Sequence, residues 1–276
     1  MTALQKDVLC RDAKDYLFLW NSIVICAASY GITIFCICLM SNHFHILLQA
    51  PKEKIDLFFE RLKIRYGRYL KKRYGKTLAP YMEYRLFDVP DRKAFCRETA
   101  YILRNAYKAR LNSPLSYPWS SVLAYFQSLN RSGRRVANIS VRERRTLLQT
   151  KRPIPGTLLV SPDGMILPES FVDKAFTERM FGNSAIQFFD LLRKWNLGEI
   201  VDSMHGETVI DAYSDEEVSR GIRELCQDVF GNIEPHQMDP KTLARLILRI
   251  HARFGASRPQ LQRLLPVDSY LLDRLL

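Results

Sequence analysis

The sequence predicts a mixed α/β domain followed by a smaller all-helical one, on three observations. Residues 40–48, Met-Ser-Asn-His-Phe-His-Ile-Leu-Leu, alternate in the manner of a strand. The segments flanking them combine an apolar, β-branched run with helices bounded by glycine. From Glu169 onward the apolar spacing is helical alone. A chain of 276 residues has room for two such domains, each with a core.

Taken in order, residues 16–51 contain no Asp, Glu, Lys or Arg. A membrane span needs about 20 apolar residues in one helix. Here Asn21, Ser22, Ser29, Tyr30, Gly31 and Thr33 interrupt the run, so the prediction is a buried helix ending at Gly31. Ile32–Leu39 follows as a strand, then a turn at Ser41-Asn42 and the strand bearing the histidines. Ile55–Tyr74 reads as a helix closed by Gly75, and Lys93–Arg110 as another. Gln127–Pro155 is polar and basic and reads as a linker, with a short helix over Val141–Gln149. In the second half, helices are expected over Glu216–Phe230, Pro240–Phe254, Arg258–Leu265 and Ser269–Leu276, with Asp215, Ser257 and Asp268 as caps. The last three resemble a helix-turn-helix unit in size, a pattern shared with neutral packing domains. The resulting division is 1–126, a linker over 127–165, and a helical accessory domain over 166–276.

The formal net charge is +12 and is unevenly spread. Residues 1–130 carry 20 Lys and Arg against 10 Asp and Glu, whereas residues 131–276 carry 21 against 19. A polyanion, in the first instance nucleic acid, is the expected partner of the first part. The six cysteines show no CxxC pair and no disulfide spacing. With no signal peptide, this predicts a reducing, cytoplasmic setting and no membrane.

Three groups of residues could carry chemistry. On a strand, His43 and His45 point to one face while Phe44, Ile46 and Leu48 anchor it from behind, which offers two imidazoles to one cation. Five histidines in the whole chain make a chance pair at this spacing rare; the bland alternative is a strand with a wet face. On the helix 93–110, Tyr101 and Asn105 are i and i+4 and share a face, a phenol beside an amide. Alone, Tyr101 is an ordinary packed residue; with a cation nearby it is a nucleophile for phosphodiesters. On the helix 55–74, Arg61, Lys63, Arg65, Arg68, Lys71, Lys72 and Arg73 decorate a core stripe and could follow a phosphate backbone, or simply form a solvated face. Arg104 and Lys108, beside the phenol and amide, are further DNA-contact candidates. His205, His236 and His251 have no partner spacing.

Met40-Ser-Asn-His-Phe-His45, then Tyr101-Ile-x-x-Asn105, then Tyr117-Pro-Trp-Ser-Ser121, occur in the order and spacing of one family. Over about residues 10–126 the chain resembles single-tyrosine transposases of the HUH superfamily, in particular the REP-associated tyrosine transposase branch. The resemblance implies a ferredoxin-like nuclease domain, Mg²⁺ or Mn²⁺ as cofactor, and single-stranded, hairpin-bearing DNA as substrate. It implies His43, His45 and Asn105 as metal ligands and Tyr101 as the nucleophile that leaves a 5′-phosphotyrosine and a free 3′-hydroxyl. Pairing of two chains as a homodimer is compatible with it.

Ser41 stands where relatives have proline, and Ala106 and Arg110 stand where they have proline and glycine. Only Met1–Cys10 remains for a central strand, which is expected to be short or absent, with a true start upstream of Met1 as one explanation. A catalytically silent DNA-binding derivative is therefore the second reading. A histidine-ligated hydrolase using activated water is the third.

Overall fold

Four strands form one antiparallel sheet in the computed structural model, which describes residues 2–4, 8–75, 82–108, 113–127, 132–194, 201 and 212–276. The elements of the N-terminal body run β1 (Thr2–Leu4), α1 (Ala13–Tyr30), β2 (Thr33–Leu39), β3 (His43–Gln49), α2 (Lys52–Tyr74) and β4 (Glu83–Arg85). The spatial order is β2-β3-β1-β4. This βαββαβ order is the ferredoxin-like arrangement. The central strand is present, with three residues: Thr2 faces His45 and Leu4 faces His43 on one side, while Thr2 faces Arg85 and Leu4 faces Glu83 on the other.

Helix α1 starts where Asp12 accepts the amides of Lys14 (2.9 Å) and Asp15 (3.1 Å), and stops at Gly31, whose φ of 65° suits glycine. Its uncharged run is explained by burial on several sides. Trp20 Nε1 donates to the Ile166 carbonyl (2.8 Å), and Asn21 exchanges two hydrogen bonds with Gly164 and Ile166. Among the described residues no helix is long and apolar enough to cross a membrane.

Helix α2 begins three residues earlier than expected and ends at Gly75, φ 74°. It packs on α1, with Phe58, Leu62, Tyr66 and Leu70 buried. Asp15, fully buried at the foot of α1, joins the two helices: it accepts the Tyr69 hydroxyl (2.8 Å), the Tyr74 hydroxyl (2.9 Å) and the Arg11 amide (2.9 Å), and pairs with Arg73.

The third layer is α3 (Arg92–Leu103), which lies across β2 and β3 on the face away from α1 and α2, and is followed by α4 (Asn105–Lys108). The expected single helix 93–110 is thus broken at Arg104, whose φ and ψ are −97° and 4°; residues 109–112 lie outside the described residues.

The Tyr117–Tyr125 strip closes the free edge of β2. Leu39 N–H donates to the Trp119 carbonyl (2.9 Å), Ser121 N–H to the Ile37 carbonyl (3.0 Å), and the Tyr117 hydroxyl to the Leu39 carbonyl (2.8 Å). Trp119 stacks on Tyr16 with ring centroids 5.1 Å apart.

Residues 132–166 are packed, which differs from the expected linker. Strands β5 (Arg134–Arg135) and β6 (Leu159–Val160) pair, α5 (Val141–Leu147) lies between them in sequence, and Val136, Ile139, Leu148, Leu158, Val160 and Ile166 form a core with Val24 and Ile25 of α1. The physical reason is that α1 has an apolar face α2 and the sheet do not cover. Helices α6 (Lys174–Met180) and α7 (Ala185–Arg193) also belong to this body: Phe176 sits 4.9 Å from Phe35, and Phe188 5.6 Å from Tyr125. The separate helical unit therefore begins near residue 212 rather than at 166.

That unit comprises α8 (Asp215–Asp228), α9 (Pro240–Phe254), α10 (Arg258–Leu264) and α11 (Ser269–Leu275) around its own core of Val218, Leu246, Ile247, Ile250, Leu261 and Leu272. Ser257 and Asp268 cap as expected; for α8 the cap is Ser214, in a capping box with Glu217, and Asp215 is the first helical residue. Gly221 lets α8 and α9 cross closely, because a Cβ there would fall 2.1 Å from Phe254 Cζ.

Candidate active site

The alternation of β3 puts Phe44 and Ile46, both fully buried, into the helical layer beneath the sheet and turns His43 and His45 to the face under α3. The two imidazoles lie 4.9 Å apart, centroid to centroid, at 81°. His45 in turn lies 5.4 Å from the Tyr101 ring at 73°. Residues separated by 56 positions in sequence are thereby brought into contact by the packing of α3 on β3.

The histidine turn is held from both ends. The Leu9 and Cys10 amides donate to the Ser41 carbonyl (2.7 and 2.8 Å), and Met40 N–H closes the turn on His43 (2.8 Å). Behind it, the Tyr66 hydroxyl donates to the Leu9 carbonyl (2.6 Å). Asn42 Oδ1 lies 2.8 Å from His43 Nδ1 and 3.4 Å from the backbone nitrogen of Ala212. An oxygen facing an amide N–H is an acceptor, so His43 Nδ1 is the donor in this contact, and in the neutral ring the lone pair is then on Nε2. That tautomer is the one in which Nε2 can ligate a cation.

Asn105 sits just past the break in the helix. Its Nδ2 donates back to the carbonyls of Tyr101 (2.9 Å) and Ile102 (3.4 Å), so the amide oxygen is the end left to act as a ligand. Imidazole nitrogen and amide oxygen are donor types that suit a divalent cation; the ring contacts join His43, His45 and Tyr101, whereas the Asn105 side chain bonds carbonyls of α3. Among the described residues no group of three or more His, Cys, Asp or Glu is placed to hold a metal ion. His43, His45, Tyr101 and Asn105 are all 3 % exposed or less. Two ionisable residues, Glu98 and Arg104, are also buried on the stretch of chain that carries Tyr101.

The basic residues of α2 lie in the other layer, against α1. Arg65 differs from the expected DNA contact: its Nε donates to Ser22 Oγ (2.8 Å) and its two terminal nitrogens to the carbonyls of Leu148 (2.7 Å) and Gln149 (3.2 Å). Arg73 is likewise engaged, with Asp12 and Asp15. Lys63 pairs with Glu60 at 3.4 Å. Arg68, Lys71 and Lys72 are exposed and Arg61 is half-buried, so these four keep a solvent-facing charge. Arg104 is buried at the helix break. The Lys108 side chain lies outside the described residues, as does His205. His251 Nδ1 bonds the Ala256 carbonyl (3.0 Å) as an ordinary helix-end contact.

The role of Asn42 was not legible in sequence. Its position directly before His43 in a tight turn is the one local signal for it.

Residues 5–88 match the family model described as Transposase IS200 like. The match spans under a third of the chain; it contains both histidines and ends before α3, so Tyr101 and Asn105 lie outside it. No curated protein and no solved structure matches the chain.

Proposed function

We propose that the chain, whose residues 5–88 match the family model described as Transposase IS200 like, is a DNA strand nuclease and transferase acting through Tyr101. The observation that carries this is the contact between His45 and Tyr101, which sets a phenol against the histidine pair. Its substrate is single-stranded, hairpin-bearing DNA, as befits a basic N-terminal half. His43, His45 and Asn105 hold Mg²⁺ or Mn²⁺, which when bound supplies Lewis acidity to the phosphoryl oxygens. Tyr101 Oη forms the new bond to the scissile phosphorus as the bond from phosphorus to the 3′ oxygen breaks. The phenol proton ends on that oxygen, giving a 5′-phosphotyrosine and a 3′-hydroxyl. The reverse attack by a 3′-hydroxyl rejoins strands with no external energy source. Arg61, Arg68, Lys71 and Lys72 bind backbone phosphates on the α2 face of the domain, away from the scissile bond.

A second reading is a non-catalytic DNA-binding derivative, favoured by the burial of Tyr101 at 2 % exposure. One experiment separates them. The chain and its Tyr101→Phe variant are incubated with end-labelled, hairpin-flanked single strands, with Mn²⁺ or with chelator. A Mn²⁺-dependent covalent adduct, absent in the variant, is the expected result. DNA binding with no adduct from either protein makes the second reading correct.

A further inference from the structure

The turn that carries His43 has an attachment the reaction does not use. Asn42 Oδ1 accepts from both His43 Nδ1 (2.8 Å) and Ala212 N–H (3.4 Å), and the Ser41 hydroxyl donates to the Ala212 carbonyl. Ala212 lies two residues before Ser214, the cap of α8, so the helical unit is bonded to the residues next to His43. A second joint lies just beyond. Glu216 N–H donates to the Arg11 carbonyl (3.0 Å), and the Asp215 carboxylate receives Arg263 (2.9 and 3.0 Å) and Gln260 (3.0 Å) from α10 while lying 3.9 Å from the Arg11 guanidinium.

We infer that Asn42 is a positioning residue for His43, and that through Ala212 the C-terminal helical unit sets the affinity of the histidine pair for its cation. The inference rests on the metal reading above. A carboxamide held by one bond can swing about its side-chain torsions. Held also by the Ala212 amide, it has one orientation, and the imidazole it grips keeps both its tautomer and its ring plane. A ligand ordered in advance loses less freedom when the cation binds. Coupling of this kind is reciprocal: a cation that orders the His43 ring tightens the hold on residues 212–216 by the same factor.

The test uses the full chain, Mn²⁺ alone as probe, and no DNA. Mn²⁺ dissociation constants are measured for the wild type, Asn42→Ala and Asp215→Ala, together with hydrogen exchange of the amides at 212–216 with and without Mn²⁺. Asn42→Ala is expected to weaken Mn²⁺ by about 10- to 100-fold. Asp215→Ala, which touches neither histidine, is expected to weaken it by about fivefold or more. In the wild type, Mn²⁺ is expected to slow exchange at Ala212 and Glu216. The coupling is overturned if Asp215→Ala speeds exchange at 212–216 yet binds Mn²⁺ within about twofold of the wild type. It is also overturned if wild-type exchange there ignores saturating Mn²⁺, an arm that needs no variant to fold. A wild type that binds no Mn²⁺ takes down the metal reading and the coupling together, whereas binding without a response removes the coupling alone.

Discussion

Replacing Asp15 with Ala removes a fully buried carboxylate that four groups address: the Tyr69 and Tyr74 hydroxyls, the Arg11 amide and the Arg73 guanidinium. Hydrogen bonds to a charged group contribute about 1.5–3 kcal/mol each when their loss strands the partner. Here the loss is partly offset, because Arg73 is 25 % exposed and keeps Asp12, and the two tyrosines are half-buried and can reach water. The net cost should be about 3 kcal/mol, above a typical core substitution and below the sum of the bonds. Asp12→Ala removes a helix cap and a partly exposed ion pair, and should cost about 1–2 kcal/mol. Urea unfolding of the two variants, followed by far-ultraviolet circular dichroism, reads the difference. A loss under about 1 kcal/mol for Asp15→Ala, or equal losses for the two variants, refutes the reasoning. The effect also reaches the histidines, since Asp15 fixes Arg11 in the segment whose Leu9 and Cys10 amides hold the Ser41 carbonyl.

Gly221→Ala puts a methyl group 2.1 Å from Phe254 Cζ and should destabilise the helical unit by about 1–3 kcal/mol; combining it with Phe254→Ala should cost less than the two changes added separately, as a double-mutant cycle would read. Burial opposes ionisation of Asp12, but its hydrogen bonds from Arg73 and from the Asp15 and Lys14 amides outweigh burial and hold its pKa below the ordinary carboxylate value. A lowered folded pKa means stability that is present above the unfolded value and lost as pH falls through the folded one. The stability gap between wild type and Asp12→Asn should therefore be full near pH 6 and shrink through the acid range below pH about 4; a gap that widens on acidification contradicts this.

The features legible in sequence were those set by local chemistry. The alternation around Phe44 placed both histidines on one face, and Gly31, Gly75, Ser257 and Asp268 ended or began helices where expected. Three features escaped because they depend on distant partners. The basic appearance of residues 127–155 hid Val136, Ile139 and Leu148, whose burial is decided by α1 more than a hundred positions earlier. Arg65 and Arg73 looked like phosphate ligands until their carbonyl and carboxylate partners were in place. The continuous helical pattern around Tyr101 gave no sign of the break at Arg104, and the function of Asn42 depends on a backbone amide 170 residues away.

The strip from Tyr117 to Tyr125 has a consequence for assembly. A sheet recruits a second copy most directly by extending its ladder across an exposed edge, and an edge already hydrogen-bonded has nothing to offer. On the β2 side, Trp119 and Ser121 take those positions. On the other side stands β4, with three residues, too short a template for continuous pairing. Among the described residues neither edge of the four-stranded sheet offers a continuous ladder, so a symmetric pair of copies would meet through other surfaces.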